Sequence, residues 1–254
     1  MHEIEKFVDN YNGITHARAA IRFQGITMPD AHLYLIDDVL IDTGPSIIQE
    51  TFADFFMEQP IGRVVLTHIH EDHAGMAAWI QEHLQVPFYA HTNSIDAAAE
   101  PAQLSKYRQY IWGDRPGFRA EALPDIIETE NFALQVLHAP GHHPHHCVFF
   151  EEKNGWLFSG DLFINETQDV AFKSENITDA IDTIQKILEL DFDVFFCFHA
   201  GIKEEGKTLL RKKLDNFLKL QETVTELREQ GLDSREINKK LFPTKHIITK
   251  VSKG

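Results

Sequence analysis

Cysteine is scarce in this chain of 254 residues, which contains two. Two cysteines cannot build the disulfide framework of a small secreted domain, so we expect a reducing, cytoplasmic setting. No apolar run approaches the roughly 18 residues of a membrane span, and the opening MHEIEKF lacks the apolar core of a signal peptide. We therefore expect no membrane partner and no secretory leader.

A basic excess is missing as well, because 24 Lys and Arg stand against 39 Asp and Glu, a formal net charge of −15. Residues 1–202 hold 11 basic and 31 acidic side chains, whereas residues 203–254 hold 13 and 8. This break coincides with a change from alternating strand and helix patterns to purely helical periodicity. It predicts a main domain over 1–202 and a small C-terminal helical extension over 203–254.

Within the first 202 residues, short β-rich runs alternate with helical ones. The apolar runs at 33–36 and 39–41 flank Asp37-Asp38 and predict a hairpin. Continuous apolar runs such as 194–198 suit strands that are buried on both faces, so we expect an α/β fold with helices covering a sheet or a pair of sheets. The other predicted strands are 63–66, 88–90, 132–137, 147–150 and 156–158, and the predicted helices are 47–58, 74–84, 179–190, 204–230 and one that starts at Asp233 and ends before Pro243.

Histidine is abundant, with 15 residues, and eight of them fall in the two stretches 68–73 and 138–146. The first stretch follows a predicted strand, and His68 and His70, two apart on an extended segment, point their rings the same way. Neutral imidazoles with a nearby carboxylate suit a borderline metal such as Zn²⁺. The metal-competent side chains after this strand are His68, His70, Asp72 and His73, and three later predicted strands are followed by His142, Asp161 and His199. Several strand-end loops that each offer a ligand predict a metal site.

These motifs resemble, in their order, those of the metallo-β-lactamase superfamily. They are the H-x-H-x-D-H segment at 68–73, Pro-Gly-His at 140–142, Gly-Asp at 160–161, the late His199 and the turn Ile41-Asp42-Thr43-Gly44. The resemblance covers residues 30–202 and implies an αββα sandwich with a two-metal site at one edge. It implies that one metal is bound by His68, His70 and His142, and the other by Asp72, His73 and His199, with Asp161 bridging.

Two positions refine this resemblance. Asp161 stands where the β-lactamase branch differs by using a Cys ligand, so the chain is more similar to the glyoxalase II and broad hydrolase branch. Phe198 departs from the pattern, because many relatives have Gly before the last histidine.

The chemistry that follows is metal-assisted hydrolysis. We expect two divalent ions, zinc first, with iron or manganese as alternatives that the ligand set does not distinguish. Two such ions make a bridging hydroxide available near neutral pH, and one of them stabilises the developing oxyanion. Asp72, next to that water, is the expected catalytic residue that orients it and accepts its proton. The acidic surface and compact domain favour a small substrate, such as a thioester, lactone or similar acyl compound.

The basic extension leaves two interpretations open. Its helix-turn-helix pattern is similar to the C-terminal extension of the mitochondrial endoribonuclease-like branch, which would make the chain a ribonuclease or phosphodiesterase that holds RNA. Alternatively, the extension packs on the acidic body and shapes the substrate pocket or a homodimer interface. We favour the second interpretation and expect no nucleic-acid partner, because the acidic body repels phosphates.

Other residues also admit two interpretations. Residues 101–122 contain four of the eleven basic side chains of the acidic domain, and they form either a lid for an anionic small molecule or an ordinary surface insertion. Asp42 either hydrogen-bonds a metal ligand or caps a helix. Cys147 and Cys197 are predicted to be buried and inert. The remaining histidines of the second stretch are expected to be exposed or to support ligands, namely His138, His143, His145 and His146.

Overall fold

Two sheets form the framework of the protein. The computed structural model describes residues 2–167 and 175–242. The first sheet has the order β1-β2-β4-β5-β6-β7-β8, with β3 beside β2, and the second has the order β14-β13-β12-β11-β10-β9 once the strands are numbered along the chain. These are β1 (His2–Tyr11), β2 (Ile14–Phe23), β3 (Ile26–Thr27), β4 (Ala31–Ile36), β5 (Val39–Ile41), β6 (Arg63–Val65), β7 (Phe88–Ala90), β8 (Glu121–Ala122), β9 (Ile126–Glu128), β10 (Ala133–His138), β11 (Cys147–Glu151), β12 (Trp156–Gly160), β13 (Val194–Cys197) and β14 (Gly201–Lys203).

Helices connect the strands and cover the sheets. They are α1 (Gln49–Glu58), α2 (Glu71–Ala74), α3 (Ala77–Leu84), α4 (Ile95–Ala99), α5 (Lys106–Trp112), α6 (Ile177–Ile187), α7 (Gly206–Glu229) and α8 (Ser234–Leu241). Helix α8 starts at the predicted capping box, in which Asp233 and Glu236 each accept a hydrogen bond from the other's backbone N–H. None of the helices in the described residues is long and apolar enough to cross a membrane.

The apolar side chains form three layers. The middle layer lies between the sheets, where Ile36 and Val65 of the first sheet meet Phe149 and Phe196 of the second. On the outer face of the first sheet, a second layer packs against α1 and α3, and on the outer face of the second sheet a third layer packs against α6 and α7. The resulting order, helix-sheet-sheet-helix, is the predicted αββα sandwich. The Tyr34 hydroxyl joins the sheets by donating a hydrogen bond of 2.8 Å to a carbonyl of β13.

Most elements lie where the sequence pattern predicts them. The β4–β5 hairpin pairs antiparallel, and the parallel pairs β5–β6 and β6–β7 continue the first sheet. The predicted helix at 74–84 is two helices, α2 and α3, and the long β1–β2 hairpin was not predicted. Strand β1 is an edge strand without a buried side chain, so its sequence lacks the apolar run of a buried strand.

The first helix of the extension packs on the body of the protein. Leu210 and Phe217 of α7 belong to the same apolar layer as α6 and the second sheet. Burial of such side chains stabilises the contact by about 1.5–3 kcal/mol each. Residues 243–254 of the extension lie outside the described residues.

Candidate metal centre

The seven predicted ligand side chains meet at one edge of the sandwich. The loop after β6 carries two of them, and α2, which follows that loop directly, carries two more. The other three follow β10, β12 and β13, all strands of the second sheet. The loops of both sheets therefore deliver ligands to one place, in two groups: His68, His70 and His142, called here the histidine group, and Asp72, His73, Asp161 and His199, called the carboxylate group.

The histidine group consists of three imidazoles with converging nitrogens. His70 Nδ1 lies 2.9 Å from His68 Nε2 and 3.2 Å from His142 Nε2. Burial, together with the neighbouring histidines, holds the pKa of His68 and of His70 well below the ordinary value. These rings are therefore neutral donors at neutral pH, the form that a metal ion binds.

The carboxylate group pairs two aspartates with two histidines. His73 Nε2 lies 3.3 Å from Asp161 Oδ1, and His199 Nε2 lies 3.2 Å from Asp72 Oδ2. Burial alone would lower the pKa of both histidines, but the nearby carboxylates outweigh it and raise the pKa of both. Burial would raise the pKa of both aspartates, but the histidines hold it below the usual range. This group therefore has a negative field that favours a cation.

Asp161 borders both groups. Its Oδ1 faces His73, while its Oδ2 lies 3.4 Å from His142 Nε2 and 3.7 Å from His199 Nε2. One carboxylate with an oxygen toward each group has the position expected of a bridging ligand.

The donor atoms fit two divalent ions. Within each group, one ligand atom per residue lies within 4.8 Å of all the others. Three buried atoms of the carboxylate group, Asp72 Oδ1, His73 Nε2 and Asp161 Oδ1, have no hydrogen-bond partner among the described residues. Buried polar atoms without partners are costly, and a cation would satisfy all three. Imidazole and carboxylate donors suit zinc, iron and manganese alike.

Hydrogen bonds orient the ligand rings from behind. Asp42 Oδ2 lies 2.9 Å from His73 Nδ1, and both carboxylate oxygens of Asp42 accept hydrogen bonds of 2.8 Å from Thr67. The structure therefore favours the first interpretation of Asp42, in which it hydrogen-bonds a metal-ligand candidate. His199 Nδ1 donates to the carbonyl of Asp30 at 2.8 Å. Such partners fix the ring and the tautomer of a ligand histidine.

Glu175 is a supporting residue that sequence reasoning missed. Its Oε1 lies 3.1 Å from His142 Nδ1. The two residues are 33 positions apart, and no local motif marks Glu175 as a partner of His142, so a spacing argument could not find it.

Two glycines explain the short motifs around the ligands. Gly160 has φ of +49°, and a Cβ there would lie 2.6 Å from His146 Nε2. That nitrogen accepts a hydrogen bond of 3.1 Å from the backbone N–H of Asp161. Gly141 has φ of +141°, and its Cβ would lie 2.6 Å from Ala180. Only glycine suits these approaches, and each glycine directly precedes a ligand candidate.

The other histidines of the second stretch do not join the two groups. His146 is buried and supports Asp161, while His138 is exposed and hydrogen-bonds the carbonyl of Pro144. His145 is half-buried and stacks on His91 with a centroid distance of 5.1 Å. His143 is half-buried as well, and burial lowers its pKa to about 4.

Residues 101–122 lie beside the carboxylate group. Arg108 of α5 pairs with Glu71, and its Nη2 lies 4.0 Å from Asp72 Oδ1. The ring of Trp112 lies 5.8 Å from that of His199. Arg115 has a structural role, because it donates hydrogen bonds to two carbonyls of α4. A lid function for this segment stays a prediction.

Phe198 and the two cysteines complete the surroundings. The Phe198 ring stacks on His73 with a centroid distance of 3.7 Å, and so closes one side of this ligand. Cys147 and Cys197 are free and buried, as predicted. Burial raises the pKa of Cys147 to about 12 and that of Cys197 to about 11, so both thiols are inert.

Comparison with known proteins agrees with this geometry. A family model described as the metallo-beta-lactamase superfamily matches residues 32–199. A hydroxyacylglutathione hydrolase of Haemophilus influenzae is 26% identical over 145 residues, which cover 52% of this chain and 64% of that protein. A thioesterase of Emericella nidulans is 27% identical over 180 residues, covering 66% of this chain and 46% of that protein.

A solved structure is similar over almost the whole chain. The beta-lactamase domain protein from Burkholderia ambifaria is 19% identical, covers 94% of this chain and 84% of its own, and superposes with a TM-score of 0.73. At that identity the similarity shows the fold. The curated relatives are matched over part of their length only, since the alignments span 58%, 61% and 64% of three of them.

Proposed function

The chain belongs to the metallo-beta-lactamase superfamily, and from this premise we propose that it is a two-metal hydrolase of small acyl substrates, with thioesters first. The observation that carries the proposal is the meeting of seven imidazole and carboxylate side chains in two adjacent groups, with Asp161 of the carboxylate group 3.4 Å from His142 of the histidine group. Named hydrolases among the relatives support the reaction class.

The histidine group would hold one divalent ion and the carboxylate group the other, with Asp161 between them. We expect zinc in both, with iron or manganese as alternatives. When bound, the ions would lower the pKa of a coordinated water and polarise the carbonyl that it attacks.

The chain's own residues supply orientation and proton transfer. Asp72 is the proposed catalytic residue, since one of its carboxylate oxygens has no hydrogen-bond partner among the described residues. That oxygen is available to orient the water and to accept its proton. Asp42 and Glu175 keep the His73 and His142 rings in place.

The substrate class rests on the size of the site and on the relatives. A cavity of about 310 Å³ adjoins the metal centre and includes His142 and Asp161 in its wall. That volume is at the small end of the ligand pockets of proteins. The two relatives described above are named for the hydrolysis of hydroxyacylglutathione and for thioesterase activity. Both names favour a thioester over a phosphodiester, and a homodimer stays an open prediction.

The test is a hydrolysis panel on protein reconstituted with zinc, iron or manganese. It contains S-acyl glutathione thioesters, lactones, β-lactams, a phosphodiester reporter and a short single-stranded RNA. Asp72→Ala removes the proposed proton acceptor, and Asp96→Ala removes an exposed carboxylate of α4 as a matched control. We expect thioester or lactone turnover that is lost in Asp72→Ala and kept in Asp96→Ala. Cleavage of RNA alone would contradict the proposal and favour the ribonuclease alternative.

A further inference from the structure

The cavity beside the metal centre extends to the C-terminal extension. Ligand candidates of both groups form one part of its wall, and two side chains of α7 form another part. The wall between them is mainly apolar. The residues that matter are His142 and Asp161 of the metal centre, Leu162 and Ile177 of the wall, and Lys213 and Phe217 of α7.

Lys213 is unusual because it is a buried cation in this wall. The residue is 5% exposed, whereas lysines are almost never buried without a partner. Its ammonium lies 5.7 Å from the ring centroid of Phe163 and 5.2 Å from that of Phe217. Among the described residues it has no hydrogen bond or ion pair. Cation–π contacts return only part of the cost of burying an ammonium group.

The other lysines near the start of α7 have evident roles. Lys207 donates a hydrogen bond of 2.6 Å to the carbonyl of Leu190, and Lys212 pairs with Glu166 at 3.1 Å. Lys219 is exposed. Lys213 alone among these four combines burial with a position in the cavity wall.

A purely structural role as a counter-charge is the competing explanation. Burial lowers the pKa of Lys213, and the charges of Asp161 and Glu175 oppose that effect. However, neither carboxylate lies within 4.0 Å of the ammonium as an ion pair, and Glu175 is engaged with His142 at 3.1 Å. The Lys213 ammonium has N–H donors without an acceptor among the described residues. Binding of an anion inside the cavity explains such a group in an apolar wall better than a counter-charge role does.

We propose that Lys213 anchors a carboxylate of the substrate inside this cavity, so that the enzyme prefers acyl substrates that carry a carboxylate over uncharged ones of equal length. The inference rests on the proposed function and names the substrate class for the same site. The hydrophobic wall between the metal ligands and Lys213 accommodates the aliphatic chain that joins the carboxylate to the scissile acyl bond.

The kinetic test uses matched thioesters. Two pairs differ only by carboxylate against carboxamide, one pair with the group on the acyl half and one with it on the thiol half. In the pair whose carboxylate reaches Lys213, Lys213→Met should raise the KM of the carboxylate substrate at least about tenfold, because the variant loses one charge-assisted hydrogen bond. The variant should keep kcat within about twofold of the wild-type value, and the kinetics of the matching carboxamide substrate should not change. Lys213→Arg should retain the preference, and Lys219→Met, the matched control on α7, should change nothing.

A binding measurement separates this proposal from the proposed function. Calorimetry compares glutarate with glutaramate, which differ in one carboxylate, on zinc-loaded wild type, Lys213→Met and Lys219→Met. Tighter binding of glutarate that disappears only in Lys213→Met supports the anchor even if no ester is hydrolysed. An equal loss for both ligands, or no loss for either, would overturn it, and thermal unfolding of each variant checks that the fold is intact.

Discussion

The two halves of the metal centre differ in how they would hold a cation. In the histidine group, burial and neighbouring imidazoles depress the pKa of His68 and His70, so these two rings are neutral donors. The carboxylate group contains two anions, and their field raises the pKa of its two histidines. One half would bind a cation through imidazole lone pairs alone, whereas the other would also use the charge of its two carboxylates.

The supporting residues follow the same division. Behind the carboxylate group, Asp42 is buried, with a side chain 2% exposed, and holds His73. Behind the histidine group, Glu175 has a side chain 12% exposed and holds His142. Because solvent weakens charge interactions, the buried support should matter more. Because each half has its own supporting residue, we expect a substitution at Asp42 or Glu175 to weaken metal binding in one half, and a substitution at Asp161 to weaken it in both.

The largest effect should come from Asp161→Ala, which removes the carboxylate that lies between the two groups. We expect both metal sites to weaken and hydrolysis to fall by more than about 100-fold, beyond the usual cost of losing a supporting residue. Metal content by plasma mass spectrometry, beside thermal unfolding, measures this. Asp182→Ala, an exposed carboxylate of α6, is the control. Retention of two ions per chain would show that the halves do not share this ligand.

A smaller effect, on one half, is expected from Asp42→Asn. The change removes the charge behind His73, so metal affinity of the carboxylate group should fall by about 10–100-fold. Titration with a competing chelator, in which the removal of the first and of the second ion is measured separately, gives the metal affinity of each group. The control is Asp38→Asn in the neighbouring turn, whose side chain is 47% exposed. A fall in both affinities to the same extent would contradict the division into halves.

The corresponding substitution for the histidine group is Glu175→Gln, which removes the charge of the carboxylate that contacts His142. Since this side chain is more exposed than Asp42, the affinity of the histidine group should fall by about tenfold, at the lower end of the usual range. The same chelator competition applies, with Glu189→Gln at an exposed position as the control. If the carboxylate group weakened instead, the assignment of Glu175 to His142 would be wrong.

The smallest effect should come from Arg108→Met. Arg108 is 29% exposed in its side chain, pairs with Glu71 and lies 4.0 Å from Asp72. Glu71 is 1% exposed, so the variant leaves a buried carboxylate without this partner, at a cost in stability that thermal unfolding measures. Because neither Arg108 nor Glu71 is a ligand candidate, we expect turnover to fall by less than about tenfold, with both ions retained. Arg119→Met, an exposed arginine of the same segment, should leave steady-state kinetics unchanged. A large change in KM in the Arg108 variant would favour the substrate-lid hypothesis.

Local patterns predicted much of this molecule. The β4–β5 hairpin, strands β10 to β13 of the second sheet and the α8 capping box depend on neighbouring residues, so periodicity and turn chemistry revealed them, whereas the short edge strands β9 and β14 were not predicted. The edge strand β1 was missed, because a half-exposed strand carries a weaker apolar signal. Helix α7 was predicted as an apolar stripe, but its buried Lys213 was not, since a lysine in a helical pattern indicates an exposed position.

The sequence by itself singled out the seven ligand candidates, because each stands in a short motif that follows a predicted strand. Chain connectivity and the sheet layers then bring the motifs to one edge. The family resemblance implied the two groups with Asp161 between them, and the tertiary structure places these side chains accordingly. Only the tertiary structure decided between the two interpretations of Asp42 and revealed that Glu175 contacts His142. These relations join segments up to 127 positions apart, the separation of Asp72 and His199. Burial and the neighbouring charges, which together shift the pKa of His68, His70, His73 and His199, arise only once both sheets have closed over the site.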